Sequence, residues 1–256
     1  MWASGDYPSV ADAVIPTLGG RLVEACAVEA GQSVLDVAAG SGNAAIPAAT
    51  RGADVIASDL TPELFGSGRR AAAAAGVTIT WDEADAHALP YADRAFDTTL
   101  SCVGVMFAPF HQTAADELIR VTKPRGTIGM INWTPTGFVG QLFATMKPFA
   151  PAPPPGAQPP PMWGDEDHVR GLFGDRVSDL ELDCELAPVD YFDDGAAFRE
   201  FFKTNYGPTV AVYRSLADQP DRAAELDQAL TELGGRYDLG GGRMEWEYLL
   251  VTARRR

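Results

Sequence analysis

The chain is poor in cysteine, in histidine and in positive charge, and each shortage excludes something. Three cysteines, Cys26, Cys102 and Cys184, stand far apart and are odd in number, which gives neither a disulfide framework nor a zinc-ligand pattern. Each is read as a small core residue. Of the three histidines, no two have metal-ligand spacing, so no metal centre is expected. Twenty Lys and Arg against 35 Asp and Glu leave a formal net charge of −15. That balance argues against nucleic acid, whose binding rests on neutralising phosphates, and against anionic membrane surfaces. The basic end Arg254-Arg255-Arg256 is too short to reverse it and reads as a solvated tail. There is no uncharged run of about 18 apolar residues, so no spanning helix is expected. No basic region followed by an apolar core opens the chain, so no signal peptide is expected either. A cytoplasmic location follows from these absences. The partners left are a small molecule and, as a homodimer, a second copy of the chain.

What is present is an alternation. At 256 residues and 46% hydrophobic content, one α/β domain with a single core is expected. Residues 7–28 read as helix, with Pro8 near the start and Val10, Val14, Leu18, Leu22 and Ala25 at helical spacing. Strands are read at Val34–Val37, Val55–Asp59, Val77–Trp81, Ala95–Cys102 and Thr127–Trp133. Between them fall a glycine turn leading into a helix at Pro47, an alanine-rich helix at Arg69–Ala75 and a helix at Gln112–Val121. Lys123-Pro124-Arg125-Gly126 reads as a helix end and a turn. Five strand–helix alternations imply a parallel sheet with right-handed crossovers. Residues 148–161, with eight prolines, permit neither helix nor central strand. They form an extended surface loop, either a stiff connection or part of a substrate lid. Beyond it come a helix at Glu166–Phe173, a strand within Val177–Phe192, helices at Phe198–Tyr206, Val210–Leu216 and Arg222–Arg236, and a final strand at Met244–Ala253.

The most informative stretch is Val34-Leu35-Asp36-Val37-Ala38-Ala39-Gly40-Ser41-Gly42. A buried strand ends beside a carboxylate, and a small-residue turn follows where backbone must approach a ligand closely. Counted from Gly40, the residues Gly40, Gly42 and Ala45 satisfy a dinucleotide-binding pattern, so glycines alone leave a dehydrogenase open. Asp36 weighs against it, because a pyrophosphate there meets repulsion. A ligand with an ammonium group and a sulfonium suits that carboxylate, directly or through water. Asp59 ends the second strand 23 residues later, where a carboxylate accepts both hydroxyls of a ribose. Its alternative role is local, in the turn before a helix starting at Thr61-Pro62.

Five stretches in register resemble the class I S-adenosylmethionine-dependent methyltransferases, in the small-molecule branch that holds the ubiquinone and menaquinone methyltransferases. Val34–Gly42 matches the D-x-G-x-G-x-G loop with Ala38 in place of the first glycine, and Val55–Asp59 matches the acidic second strand. Glu83–Tyr91 matches G-D/N-A-x-x-L-P-F, Ala95–Cys102 the fourth strand, and Glu117–Gly126 the E-x-x-R-V-L-K-P-G-G segment. The likeness covers about residues 30–135. It implies a doubly wound, seven-stranded, mostly parallel sheet with the last strand antiparallel and helical lid insertions in the C-terminal half. The divisions would be an N-terminal cap helix (1–30), a cofactor-binding core (31–147), the proline-rich loop (148–164), and sheet completion with acceptor-side helices (165–256). It implies S-adenosyl-L-methionine as cofactor. Asp36 and the loop Ala38-Ala39-Gly40-Ser41 would meet its methionine part, with backbone at Ala39, Gly40 and Ser41 closest. Asp59 would hold the ribose and Leu60 would pack on the adenine. Asp85 would accept from the adenine amino group and the Ala86 amide would meet a ring nitrogen. Ser101 or Cys102 would offer a carbonyl to the ammonium group.

The acceptor side is less defined. Methyl transfer is an in-line displacement at a carbon the cofactor has already activated, so a base is needed only for a poor nucleophile. His111 is the candidate base, on the face where the acceptor should lie. The alternative for it is a surface histidine at a helix start. His87 is expected to point to solvent and His168 to sit in an acidic helix start. Trp2, Tyr7, Phe107, Trp133 and Tyr206 are candidates for an apolar, aromatic acceptor pocket, and each could equally be core. The reaction implied is methylation of a small aromatic or hydrophobic acceptor at O, N or C. A quinone-ring C-methyltransferase and a non-catalytic cofactor-binding protein are the alternatives.

Overall fold

A computed structural model describes residues 2–256. The elements in chain order are α1 (Tyr7–Val14), α2 (Leu18–Ala25), β1 (Ser33–Val37), α3 (Ala45–Thr50), β2 (Asp54–Asp59), α4 (Phe65–Ala74), β3 (Thr80–Glu83), β4 (Phe96–Cys102), α5 (His111–Val121), β5 (Thr122–Trp133), α6 (Phe138–Met146), α7 (Glu166–Phe173), β6 (Val177–Val189), α8 (Gly195–Asn205), α9 (Gly207–Ser215), α10 (Pro220–Tyr237) and β7 (Met244–Arg255). The strands form one sheet in the order β3-β2-β1-β4-β5-β7-β6. The first five are mutually parallel, and β7 runs antiparallel between β5 and β6. This is the expected doubly wound fold. Among the described residues no helix is long and apolar enough to cross a membrane.

The central strands are apolar on both faces because helices cover both. Val34, Leu35 and Val37 are buried in β1, and Ile128, Met130 and Ile131 in β5. At the sheet edge, β6 alternates instead, with Asp179 and Glu181 exposed between half-buried Ser178, Leu180 and Leu182. The longest helix, α10, buries Leu226, Leu230 and Leu233, a stripe at helical spacing.

Four local expectations are corrected. The helix expected over 7–28 is two helices, because Pro16 cannot donate a helical hydrogen bond and holds Ile15 out of helical geometry (φ −125°, ψ 29°). The Val10, Val14, Leu18, Leu22 stripe is nonetheless buried across both pieces. The third strand starts at Thr80 rather than Val77, since Gly76 (φ 71°) and the Val77 amide, donating to the Ala72 carbonyl at 3.0 Å, close α4 first. Lys123–Gly126 lies within β5 and not in a turn before it. Arg125 is left-handed (φ 64°) beside a register shift, and the Lys123 ammonium pairs with Asp97 at 2.8 Å. Cys26 and Cys102 are core residues, but Cys184 is exposed on the edge strand.

The proline-rich segment runs from the end of α6 to α7. It meets the loop that follows β4, where the Gln158 amide donates to the Pro109 carbonyl at 2.9 Å. Trp163 at its far end is fully buried.

Candidate active site

The glycine loop after β1 is held by its neighbours on all sides. Ala38, Gly40 and Gly42 have φ of 54°, 58° and 96°. The Ala39 amide donates to the Ser58 carbonyl at 2.9 Å, and the Gly40 amide donates to Asp59 Oδ2 at 2.8 Å. Asp59 Oδ1 accepts from the Thr61 amide at 2.8 Å, so one carboxylate fixes the ends of both β1 and β2. Burial raises the Asp59 pKa above the ordinary carboxylate range, opposed by these amide bonds. Ala38 occupies a left-handed conformation that costs a residue with a β-carbon roughly 1–2 kcal/mol, so the missing glycine is a source of strain at this turn.

A cavity of about 350 Å³ opens beside this loop, at the C-terminal ends of β1, β2 and β4. Ala38 and Gly40 line it from the loop. Asp59, Leu60, Thr61 and Leu64 follow β2, and Ala84, Asp85, Ala86 and His87 follow β3. Val103, Gly104 and Phe107 to Phe110 follow β4, and Trp2 and Tyr7 come from the N-terminal segment. Leu60, 64% exposed, is an apolar side chain offered to solvent at the site. A ring of Tyr7 crosses the loop: a β-carbon on Gly40 would fall 2.9 Å from Tyr7 Cε1.

A smaller void of about 20 Å³, room for about one water, lies on the inner side. Trp2, Tyr7, Val103 and Phe107 line both spaces and so form a partition between them. Beyond it the walls are Val10, Val14, Ile15, Trp133, Val139, Phe202, Tyr206 and Trp246, with no carboxylate or ammonium group among them. The Trp2 ring meets Tyr7, Phe107 and Tyr206 edge-on, with centroids 5.3, 4.6 and 5.6 Å away. Such edge contacts are favoured by the ring quadrupoles. Val103, a β-branched residue at φ 52°, is a genuine backbone outlier at this partition.

Several expected residues therefore share the cavity: Ala38, Gly40, Asp59, Leu60, Asp85, Ala86, Trp2, Tyr7 and Phe107. Trp133 and Tyr206 line only the inner void. Ala39 and Ser41 line neither space. Ser101 and Cys102 also lie outside them, buried in β4. The Ser101 hydroxyl donates to the Val37 carbonyl and accepts from the Val105 amide, and Val103 and Gly104 take the cavity-facing place instead. Asp36 is buried below the loop, where Oδ2 accepts from the Ala45 amide at 2.8 Å and caps α3. Its Oδ1 has no partner among the described residues. Burial above all, with nearby Asp59 adding to it, pushes the Asp36 pKa up to about 7.

His168 sits in the acidic start of α7, as expected, and the other two histidines are placed differently from expectation. His111 is at the start of α5, as its surface alternative had it, but is fully buried. It does not line the cavity. Its Nδ1 shares a hydrogen bond of 2.9 Å with His168 Nε2, and Trp163 packs 5.4 Å away. Burial first, then the neighbouring His168 and His87, lower its pKa to about 4. His111 is thus sealed behind the wall rather than on the open face where a general base was expected. His168 caps this buried contact from the start of α7. His87 was expected in solvent; its side chain is only 18% exposed and lines the cavity. Its place two residues after Asp85 in a tight turn was the signal that could have found it.

The comparisons agree with this architecture. Residues 34–126 match the family described as a methyltransferase domain. An uncharacterized protein of Mycobacterium tuberculosis is 50% identical over 256 residues, covering 100% of this chain and 93% of its own length. The demethylmenaquinone methyltransferase of Thermus thermophilus is 34% identical over 117 residues, 45% of this chain and 53% of its own. Among solved structures, the YcgJ protein of Bacillus subtilis superposes with a TM-score of 0.60 at 18% identity, covering 93% of this chain and 97% of that one. The chain belongs to the class I S-adenosylmethionine-dependent methyltransferases, in their small-molecule branch.

Proposed function

We propose that the 350 Å³ cavity holds S-adenosylmethionine and that its methyl group passes through the Trp2–Tyr7–Val103–Phe107 partition to a small aromatic or hydrophobic acceptor. The observation that carries this reading is the partition itself. On one side lie the glycine loop, Asp59 and Asp85, a polar edge suited to an adenosine. On the other lie apolar and aromatic side chains around a void of about 20 Å³, too small for a ring until the partition opens, whose chemistry suits a flat, uncharged acceptor.

The residues present fit that cofactor. Asp59 holds its two amide bonds on two oxygens with lone pairs to spare, so it still accepts from ribose hydroxyls. Leu60 gives the adenine an apolar face, and the Ala86 amide and Asp85 supply one donor and one acceptor at its edge. Asp36, outside the lining, would balance the ammonium group through water rather than directly. When bound, the cofactor supplies an electrophilic methyl carbon on a sulfonium. The protein's part is to hold the acceptor in line with that carbon and to exclude water, an effect of several kcal/mol where reacting atoms are well aligned. Among the described residues no group of three or more metal-ligating side chains converges.

A quinone-ring C-methyltransferase is the second reading, favoured by the likeness to demethylmenaquinone methyltransferases over nearly half the chain. Titration calorimetry with S-adenosylmethionine, then a screen of ring-bearing acceptors for the mass gain of one methyl, tests both. Micromolar binding with turnover on phenols or aromatic amines supports the first reading, and turnover confined to reduced quinones supports the second. Binding with no turnover across a wide panel would favour the non-catalytic alternative.

A further inference from the structure

His87 joins two segments of the cavity wall. Its Nδ1 lies 2.8 Å from Asp85 Oδ1, and its own backbone amide donates to the same oxygen at 2.9 Å. Its Nε2 accepts from the Phe110 amide at 3.2 Å, and the two rings lie 5.5 Å apart. An amide can only donate, so Nε2 must carry a lone pair and the proton sits on Nδ1, aimed at the carboxylate. The imidazole is therefore a donor toward Asp85 with its tautomer fixed by Phe110.

Both bonds to Asp85 fall on Oδ1, while Oδ2 takes none among the described residues. A half-buried aspartate at a cavity edge, as this one is with its side chain 46% accessible, ordinarily samples several rotamers. Here the amide and the imidazole grip one oxygen from two directions, which fixes the carboxylate plane and leaves the second oxygen to an incoming donor. Because Phe110 ends the loop after β4, just before α5, the same imidazole ties the adenine-side turn to that loop.

We propose that His87 is a positioning residue for the base-recognition carboxylate: it acts through Asp85 to select a ligand whose purine presents an amino group. This rests on the reading of the cavity as an adenosine site with Asp85 at the amino edge. The ordering of one acceptor in advance is worth a fraction of the hydrogen bond it makes, and is felt only by ligands that make that bond.

The discriminating probes are S-adenosylhomocysteine and its inosine analogue, S-inosylhomocysteine. The analogue carries an oxygen in place of the amino group and a ring N–H in place of the ring acceptor. Their affinities are measured by calorimetry for the wild-type chain, for His87→Ala, for His87→Asn and for Asp85→Asn, with folding checked by circular dichroism and thermal melts. His87→Ala is expected to weaken S-adenosylhomocysteine about tenfold and the inosine analogue less than twofold. His87→Asn, whose amide nitrogen can still donate to a carboxylate, is expected to recover at least half of that loss on a logarithmic scale. Equal losses for both ligands, no loss for either, or no recovery with asparagine would overturn the role assigned to His87. Failure of the underlying reading looks different. In that case the wild-type chain itself fails to prefer the adenine ligand, and Asp85→Asn leaves the two affinities in their original ratio.

Discussion

The Asp59 carboxylate receives the Gly40 amide on one oxygen and the Thr61 amide on the other, so a single side chain joins the loop after β1 to the turn after β2. The residue is at once a structural clamp and a wall of the cavity. Asp59→Ala removes acceptors for both amides and for a ribose diol. Hydrogen bonds to charged groups contribute about 1.5–3 kcal/mol each, so S-adenosylmethionine affinity should fall roughly 10- to 100-fold or more. Calorimetry checks this. Affinity within twofold of wild type would remove Asp59 from the ribose site.

The buried Asp36 carboxyl supplies a pH signature. Its pKa of about 7 means that near neutrality a large share of the unliganded protein carries it protonated. A cation placed beside it stabilises the ionised form and lowers that pKa, so binding below pH 7 releases a proton. Affinity for S-adenosylmethionine should rise between pH 6 and 8 and level off above. Calorimetry in two buffers of different ionisation enthalpy counts the released protons. Asp36→Asn, which keeps an acceptor for the Ala45 amide, should bind more weakly with a flat pH profile.

The two small residues of the glycine loop should respond in opposite directions. Gly40→Ala puts a β-carbon at φ 58° and 2.9 Å from Tyr7 Cε1, at a cost of about 1–2 kcal/mol and a fall in Tm of roughly 2–8 °C. Ala38→Gly relieves a left-handed alanine, a gain offset in part by the greater entropy of glycine in the unfolded chain. Its Tm should be unchanged or higher. A loss of several degrees for Ala38→Gly would show that the alanine β-carbon is needed where it stands.

His111 is expected to contribute to stability rather than to chemistry. Its folded pKa, about 4, lies below the ordinary histidine value of 6.5, so the unfolded chain binds the extra proton first. Stability is full above about pH 6.5 and is lost as pH falls through that window toward 4, by at most about 3 kcal/mol. Urea denaturation at pH 7 and pH 5 should show a smaller difference for His111→Gln than for wild type. Methyl transfer at pH 7.5, on any acceptor found, should stay within about threefold. A hundredfold loss with an unchanged fold would restore His111 as a base.

The strands and the glycine loop were legible because each rests on local rules. Apolar runs such as Val34-Leu35 and Ile128 to Ile131 need burial on both faces, and Gly40 and Gly42 permit backbone conformations that other residues resist. The order of Asp36, Asp59 and Asp85 along the chain marks strand ends, and so the edge at which a ligand must sit. Breaks set by a single residue were equally local, and Pro16 shows that the apolar stripe at 10, 14, 18 and 22 can persist across a helix that does not.

The histidines were not legible in this way. Residues 87, 111 and 168 sit in three different loops and helix starts, and nothing in their neighbours says that His111 meets His168 or that His87 turns back onto Asp85 and across to Phe110. The partition of Trp2, Tyr7, Val103 and Phe107 likewise draws on two segments about a hundred residues apart. By itself the sequence determined the winding of the sheet and the family to which the chain belongs, because periodicity and turn chemistry act over a few residues. Only the tertiary structure decided which side chains face the cavity, which are sealed behind it, and which histidine touches the site. Those outcomes depend on how helices from distant parts of the chain close over the sheet, and burial then sets the charge each group can carry.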